Sequence, residues 1–160
     1  MSSTEDAIRA IRHVVQDHGD ENARLGAPAL IKGIEWCARI LGFKWPPSYL
    51  GVLGKHDGVL VCDAILLSFT ESFEAFLSYA DEWYQRRYWP VAADGCGNYW
   101  VLALAGRRPD GECPILFVET VKSPVEGSAE AESYADFVVQ CMARQCAWVS
   151  CAGERSGGVG

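Results

Sequence analysis

Two glycines one residue apart, Gly95 and Gly97, lie in the stretch PVAADGCGNYWVLAL (90–104), directly ahead of an apolar segment. Glycines at this spacing can let backbone N–H groups approach a phosphate, but a dinucleotide site needs a third glycine and a following helix. Here Trp100 occupies the third glycine position, and a strand-like run follows. A calcium loop starting at Asp94 would lack its closing glutamate. The spacing therefore predicts a β-hairpin over 90–104 whose turn contains both glycines.

The cysteines and histidines form no recognisable metal-binding or catalytic motif. The seven cysteines include no CxxC pair, so we expect reduced, mostly buried thiols instead of a disulfide framework or a zinc ribbon. Cys141, Cys146 and Cys151 recur every five residues, a step that scatters them around a helix by about 140° each. Cys96 and His56 could supply a nucleophilic pair, but no local motif marks one. We expect no cofactor, no metal and no bound nucleotide.

Acidic residues are concentrated in two stretches of a chain whose formal net charge is −7. Residues 70–85 contain no base and four acids, namely Glu71, Glu74, Asp81 and Glu82. Residues 119–136 contain five acids against Lys122 alone. Such surfaces repel nucleic acid and anionic lipid and attract a basic partner. Glu71 and Glu74 also supply the carboxylates of an acid/base pair, although a solvated helix face explains them more simply.

Aromatic residues cluster beside the first acidic stretch. Residues 83–100 contain six of them, namely Trp83, Tyr84, Tyr88, Trp89, Tyr99 and Trp100. Most must belong to the core, but Trp, Tyr and Arg also carry much of the energy of protein interfaces. We therefore predict a partner-binding surface that consists of Glu71, Glu74, Asp81, Glu82, Trp89 and Asp94.

Hydrophobic periodicity predicts the helices that position these residues. Apolar residues at helical spacing indicate helices over 3–18 and 28–41, each followed by a glycine stop, and Pro47 begins a short third helix that reaches residue 56. The polar stretch between the first two helices is predicted to be a linker. A capping box of Ser68 and Glu71 predicts one helix to about Arg87, with the glutamates opposite an apolar stripe that includes Phe76/Leu77 and Trp83/Tyr84.

Short apolar runs predict strands over 59–67, 88–93, 99–104 and 115–120, and Ser133 with Asp136 caps a closing helix. This order predicts a single α+β domain over 1–150, with a mainly antiparallel sheet flanked by N-terminal helices and a C-terminal helix. Residues 151–160 are expected to form a disordered tail. The acidic N-terminal segment does not resemble a secretory signal, and no apolar run is long enough to span a membrane, so we expect a cytoplasmic protein.

Four segments, in order, resemble the SUKH superfamily, which includes fungal cell-wall-assembly regulators of the Smi/Knr type and bacterial toxin-immunity proteins. Residues 34–58 (IEWCARILGFKWPPSYLGVLGKHDG) resemble its opening helix and LG–LP–Y motif, and 90–104 resemble its hairpin. Residues 110–120 (DGECPILFVET) resemble its next strand, and 131–142 (AESYADFVVQCM) resemble its closing helix. The helix over 3–18 would be an N-terminal extension. Three residues depart from the family pattern and leave the subgroup open: Trp45, Asn98 and Ala103.

The resemblance implies binding and not catalysis. Bacterial members are similar to immunity proteins that neutralise a cognate toxin, and many such toxins are nucleases with basic clefts, which an acidic surface would complement. The resemblance therefore implies an immunity protein whose partner is a toxin with a basic surface, and neither nucleic acid nor membrane. A regulatory scaffold that binds endogenous proteins is the alternative, and a hydrolase using Cys96 or the Glu71/Glu74 pair is a third. Toxin identity and oligomeric state stay open.

Overall fold

The computed structural model describes residues 1–19, 21–61 and 64–144, which form six α-helices and one seven-stranded antiparallel sheet. The helices are α1 (Thr4–His18), α2 (Ile31–Leu41), α3 (Pro47–Leu53), α4 (Phe69–Ser78), α5 (Ala80–Arg86) and α6 (134–144). The strands are β1 (Ala23–Leu25), β2 (Val59–Val61), β3 (Ala64–Leu66), β4 (Tyr88–Ala93), β5 (Tyr99–Ala103), β6 (Ile115–Val118) and β7 (Gly127–Ala131). The α+β prediction is confirmed. The predicted tail, 151–160, lies outside the described residues.

Strand order in the sheet follows chain order from β1 to β7, and every pair of neighbours is antiparallel. The predicted hairpin is β4–β5, and Gly95 and Gly97 both have positive φ (77° and 88°) in its turn. Register between the two strands shifts at Val91, next to Pro90. Proline has no N–H to donate, and a bulge is one of the few places where a sheet accepts it.

The caps predicted for α4 and α6 are confirmed, and α1 begins with a capping box that was not predicted. Ser3 and Asp6 form a capping box on α1, and Ser68 and Glu71 form one on α4. Ser133 accepts a hydrogen bond from the Asp136 N–H at the start of α6. These short side chains satisfy backbone donors that the first turn of a helix leaves unpaired.

The second helix begins at Ile31, so the predicted start at Pro28 is wrong. The backbone before it is extended, because the N–H of Ala29 donates to Leu53 and the carbonyl of Ala27 accepts from Asp57. These bonds hold the segment against the end of α3 and keep it out of helical geometry. The third helix is shorter than predicted and ends at Leu53.

The predicted single helix to Arg87 is also wrong, because the backbone leaves helical geometry at Tyr79 (φ −131°, ψ 28°). The Tyr79 ring packs against Trp83, with ring centroids 4.7 Å apart, and against Tyr99 of β5 at 6.3 Å. Packing of these rings on the sheet accompanies the change of direction. The chain then continues as the separate helix α5.

Two edge strands were not predicted. β1 lies inside the polar linker between α1 and α2, and β7 is the run GSAEA. Neither contains a β-branched or aromatic residue, which are the residue types that strand recognition depends on. Both acquire strand geometry from their neighbours, β2 and β6.

Candidate protein-binding surface

Four exposed carboxylates lie on α4 and α5 and form what we call the acidic helical face: Glu71, Glu74, Asp81 and Glu82. Glu71 is already engaged in the α4 capping box, where its Oε1 accepts the N–H of Ser68 at 3.0 Å. The other three side chains form no ion pair and no hydrogen bond within the described residues. Three unpaired negative charges are therefore available to a partner.

Two large apolar side chains on the same helices are exposed, which corrects their predicted place in the core stripe. Leu77 on α4 is 56% exposed and Tyr84 on α5 is 53% exposed. The Tyr84 ring stacks on Phe43 with a centroid separation of 6.0 Å, so one of its faces is fixed. Adjacent residues on a helix point about 100° apart. For that reason Phe76 and Trp83 occupy the buried stripe, and their next neighbours do not.

Trp89, predicted to lie in the partner-binding surface, is fully buried, so this prediction is corrected. Its ring lies 4.7 Å from Trp45, 5.3 Å from Phe69 and 5.4 Å from Phe76. Its indole N–H donates to the Tyr49 hydroxyl at 2.9 Å. A side chain enclosed on all sides in this way organises the core and cannot contact a partner.

Asp94 holds the hairpin turn together. Its carboxylate accepts the backbone N–H groups of Cys96 (2.7 Å) and Asn98 (3.1 Å) and the side-chain amide of Asn98 (2.8 Å). Partial burial raises its pKa, but these hydrogen bonds favour the charged form more strongly, and the net effect is a pKa below the usual value. Asp94 thus has a structural role, and any partner contact there stays a prediction.

The second acidic stretch differs from the acidic helical face because most of its carboxylates are already paired. Glu119 pairs with Lys122 at 2.8 Å, and Glu130 and Glu132 lie 4.0 Å and 3.9 Å from arginine side chains. A partner that bound there would have to break or share these ion pairs. Electrostatics therefore favours the acidic helical face as the binding surface.

A family comparison bears on what this surface is for. The sequence model of the SMI1 / KNR4 family (SUKH-1) matches residues 28–140, from just before α2 into α6. The chain belongs to the SMI1/KNR4 family (SUKH-1). A search of curated proteins finds no match. Membership of SUKH-1 supports a non-catalytic immunity or regulatory domain in general.

The match begins after α1 and β1, so within this SUKH-1 protein those two elements lie outside the family region. The acidic helical face lies wholly inside it. The face is thus part of the family domain and does not belong to the N-terminal elements that precede it.

The catalytic alternatives gain no geometric support in this SUKH-1 domain. His56 Nε2 accepts a hydrogen bond from Arg12 at 3.3 Å, and no contact joins it to Cys96 among the described residues. Burial raises the pKa of the Cys37 and Cys113 thiols, and that of Cys141 to about 11, which disfavours the nucleophilic thiolate.

Within residues 1–19, 21–61 and 64–144, no three His, Cys, Asp or Glu side chains converge as metal ligands would. No helix in the same ranges combines the length and the hydropathy that crossing a bilayer requires. Cys146 and Cys151, considered above as metal ligands, lie outside these ranges.

Proposed function

We propose that this protein is an immunity protein that binds a bacterial toxin domain with a basic surface, in the cytoplasm of the cell that it protects. The observation that carries the proposal is the acidic helical face, where Glu74, Asp81 and Glu82 have no ion pair among the described residues and lie on the same helices as exposed Leu77 and Tyr84. Family membership supports an immunity or regulatory role in general. The unpaired carboxylates add the expectation that the partner has a basic surface.

The two kinds of side chain on this face would contribute differently to binding. Unpaired carboxylates attract a basic cleft from a distance and raise the association rate. Apolar side chains that become buried on contact supply most of the affinity, because interface energy concentrates in a few desolvated anchors. Tyr84 fits this role because its stacking on Phe43 already restricts the ring, which lowers the entropy lost on binding.

Growth protection tests the proposal directly. The toxin domain encoded beside this gene is co-expressed with the wild-type protein or with the variant E74K/E82K, and the purified pair is titrated by calorimetry. Wild type should restore growth and bind, whereas the variant should bind about 1 to 3 kcal/mol more weakly, as expected for disrupted interfacial charge pairs. Its folding stability should change by no more than about 0.5 kcal/mol, since both positions are exposed.

A matched control separates the face from net charge alone. The variant E21K/E126K changes the charge by the same amount at two exposed acids that have no ion pair among the described residues. It should bind the toxin like wild type. Equal losses of affinity in the two variants would show that only overall charge matters. No loss of affinity in either variant would show that the interface lies elsewhere on the protein. If no toxin gene adjoins this gene, the regulatory scaffold is favoured, with endogenous proteins as partners.

A further inference from the structure

A groove of about 370 Å³ lies between α2 and α3, and none of its lining residues belongs to the acidic helical face. Its floor consists of three buried side chains, Ile34, Phe43 and Trp45. Exposed apolar side chains, Ile31 and Leu50, lie at its rim. The volume falls within the roughly 300 to 1,000 Å³ of ligand-binding pockets. The groove is large enough to receive a bulky apolar side chain.

A hydrogen bond and ring packing hold the floor of the groove in place, and the indole N–H of Trp45 has an acceptor. The Trp45 indole N–H donates to the carbonyl of Ile34 at 3.3 Å, which ties the loop 42–46 to α2. Phe43 and Trp45 pack edge to face at 5.7 Å. A groove that exists before its occupant arrives requires little ordering on binding.

The segment that supplies the lining of the groove, residues 28–55, is basic, in contrast to the rest of the chain. Residues 28–55 carry one acid, Glu35, and four bases, namely Lys32, Arg39, Lys44 and Lys55, within a chain whose net charge is −7. Lys44 and Glu35 line the groove itself. None of the four bases forms an ion pair within the part of the chain that the structure describes.

Two arginines from other elements add positive charge at the groove loop. Arg87 donates to the carbonyl of Gly42 at 2.8 Å, and its guanidinium lies 5.3 Å from the Phe43 ring centroid. Arg107 donates to the carbonyls of Lys44 (3.2 Å) and Trp45 (2.9 Å). Neither arginine forms an ion pair with a carboxylate among the described residues. Their positive charges therefore remain uncompensated beside the loop 42–46.

We infer that this groove is a second docking surface, which takes a short segment of another protein that inserts one large apolar side chain and carries carboxylates beside it. The apolar floor selects the inserted side chain, and the basic surroundings select its acidic neighbours. Glu35 gives the groove a direction, because carboxylates of the occupant are favoured near Lys44 and disfavoured beside Glu35 itself. The expected partner is thus opposite in charge to the basic partner of the acidic helical face.

A displayed library of random 12-residue peptides, selected on the folded full-length protein, tests this inference. Enriched peptides should share a large apolar residue with Asp or Glu within about three positions of it, as the basic surroundings require. One enriched peptide is then synthesised and titrated against variants. Lys44→Glu should weaken its binding about fivefold or more, whereas Glu35→Gln should strengthen it, because the two changes alter the rim charge in opposite directions.

A matched pair of leucine variants tests the apolar part. Leu50 at the rim is 41% exposed, and Leu60 on β2, which does not line the groove, is 38% exposed. Leu50→Glu should weaken the peptide about tenfold or more, and Leu60→Glu should leave it within about twofold. E74K/E82K should not reduce the affinity for the peptide, which separates this surface from the acidic helical face.

Several results would overturn the inference. These are a selection without enrichment, enriched peptides without an acidic bias, and equal losses in the two leucine variants. If a thermal melt shows that Leu50→Glu does not fold, the test rests on peptide affinity in Lys44→Glu and Glu35→Gln. Affinity changes in opposite directions support the proposal, and changes in the same direction reject it. Analytical ultracentrifugation checks for a second copy in the groove. If the wild-type protein is a dimer and Leu50→Glu is a monomer, a second copy of this chain occupies the groove. That result would reject an acidic segment of another protein as the occupant.

Discussion

The Trp89 indole and the Tyr49 hydroxyl form a polar contact inside an otherwise aromatic core. Both side chains are fully buried. Burial is the main reason that the pKa of Tyr49 lies far above its usual value, so the hydroxyl stays neutral wherever the protein is folded. Tryptophan and tyrosine are tolerated in a core when their polar atoms find partners, and here each supplies the partner of the other.

Substitution of Tyr49 by phenylalanine should therefore cost more than the loss of one hydroxyl suggests. It leaves the Trp89 N–H buried without an acceptor, and we expect a loss of about 1 to 3 kcal/mol in the free energy of unfolding. Urea denaturation measures this loss. The double variant Y49F/W89F removes both polar atoms and adds a ring-size change, and a double-mutant cycle gives the coupling between the two sites. A coupling energy near zero would contradict the role assigned to this hydrogen bond.

His56 should make stability depend on pH. Burial is the main cause of its lowered pKa, and the neighbouring charge of Arg12 adds to it. The unfolded chain then binds the proton more readily than the folded one, so stability falls as pH decreases through the unfolded value near 6.5. Thermal melts between about pH 7 and 5 should show a shallower decline for His56→Gln than for wild type. A slope for His56→Gln equal to that of wild type would contradict this role of His56.

At the scale of elements, Asp94 stabilises the turn of the β4–β5 hairpin. Asp94→Ala removes three hydrogen bonds in the turn, and we expect a loss of about 1 to 2 kcal/mol. Because the folded pKa of Asp94 is lowered, this stabilisation is present above the unfolded pKa near 3.9 and is lost as pH falls through the folded value. Chemical denaturation of Asp94→Ala and wild type at pH 7 and pH 3 measures both effects. A difference that did not shrink at pH 3 would contradict the ionic role.

Helix α3 begins at a carboxylate that comes from far along the chain. Glu112 accepts the Ser48 N–H at 2.9 Å and the Ser48 hydroxyl at 2.7 Å. A negative charge at the N-terminal end of a helix is favourable, so Glu112→Ala should lower the free energy of unfolding by about 1 to 2 kcal/mol. Glu112→Gln keeps the shape and loses the charge, and should cost less. Denaturant titration of the three proteins tests this order, and equal losses would show that only the charge matters.

The sequence was sufficient for elements whose signals are local. Gly95 and Gly97 specify the turn of the hairpin, and Ser68 and Ser133 specify two helix starts, because each acts on backbone groups within a few residues. The break at Tyr79 could not be predicted, since it accompanies packing against Tyr99 on a strand 20 residues later. The edge strands β1 and β7 were missed for the same reason: their geometry comes from partner strands.

The candidate binding surface was predictable only in part. Charge density identified Glu74, Asp81 and Glu82, and the structure finds them exposed and unpaired among the described residues. Composition alone could not separate Trp89, which is core, from Tyr84, which is exposed, because an aromatic residue suits either place. Whether such a side chain is buried depends on the elements that pack around it in the folded molecule.

At the scale of the whole molecule, charge is unevenly distributed. The acidic helical face and the groove lie on different elements, and Phe43 of the groove floor stacks on Tyr84 of α5. The net charge of −7 therefore hides two surfaces of opposite character.

Association with a basic toxin should consequently depend on ionic strength. Stopped-flow measurements should show an association rate that falls as salt rises from about 50 to 500 mM, since the Debye length shrinks over this range. The slope should be shallower for E74K/E82K, while E21K/E126K should follow wild type. An association rate of the wild-type protein that does not change with salt would contradict electrostatic steering.

Strand order that follows chain order has a consequence for synthesis on the ribosome. Each inner strand pairs with the strand made just before it and the one made just after it, and the edge strands β1 and β7 pair with one neighbour each. A sheet of this kind can grow by one strand at a time as the chain emerges, and short sequence separations between paired strands favour rapid folding. The β4–β5 hairpin would thus extend a template that is already in place, and β7 would complete the sheet.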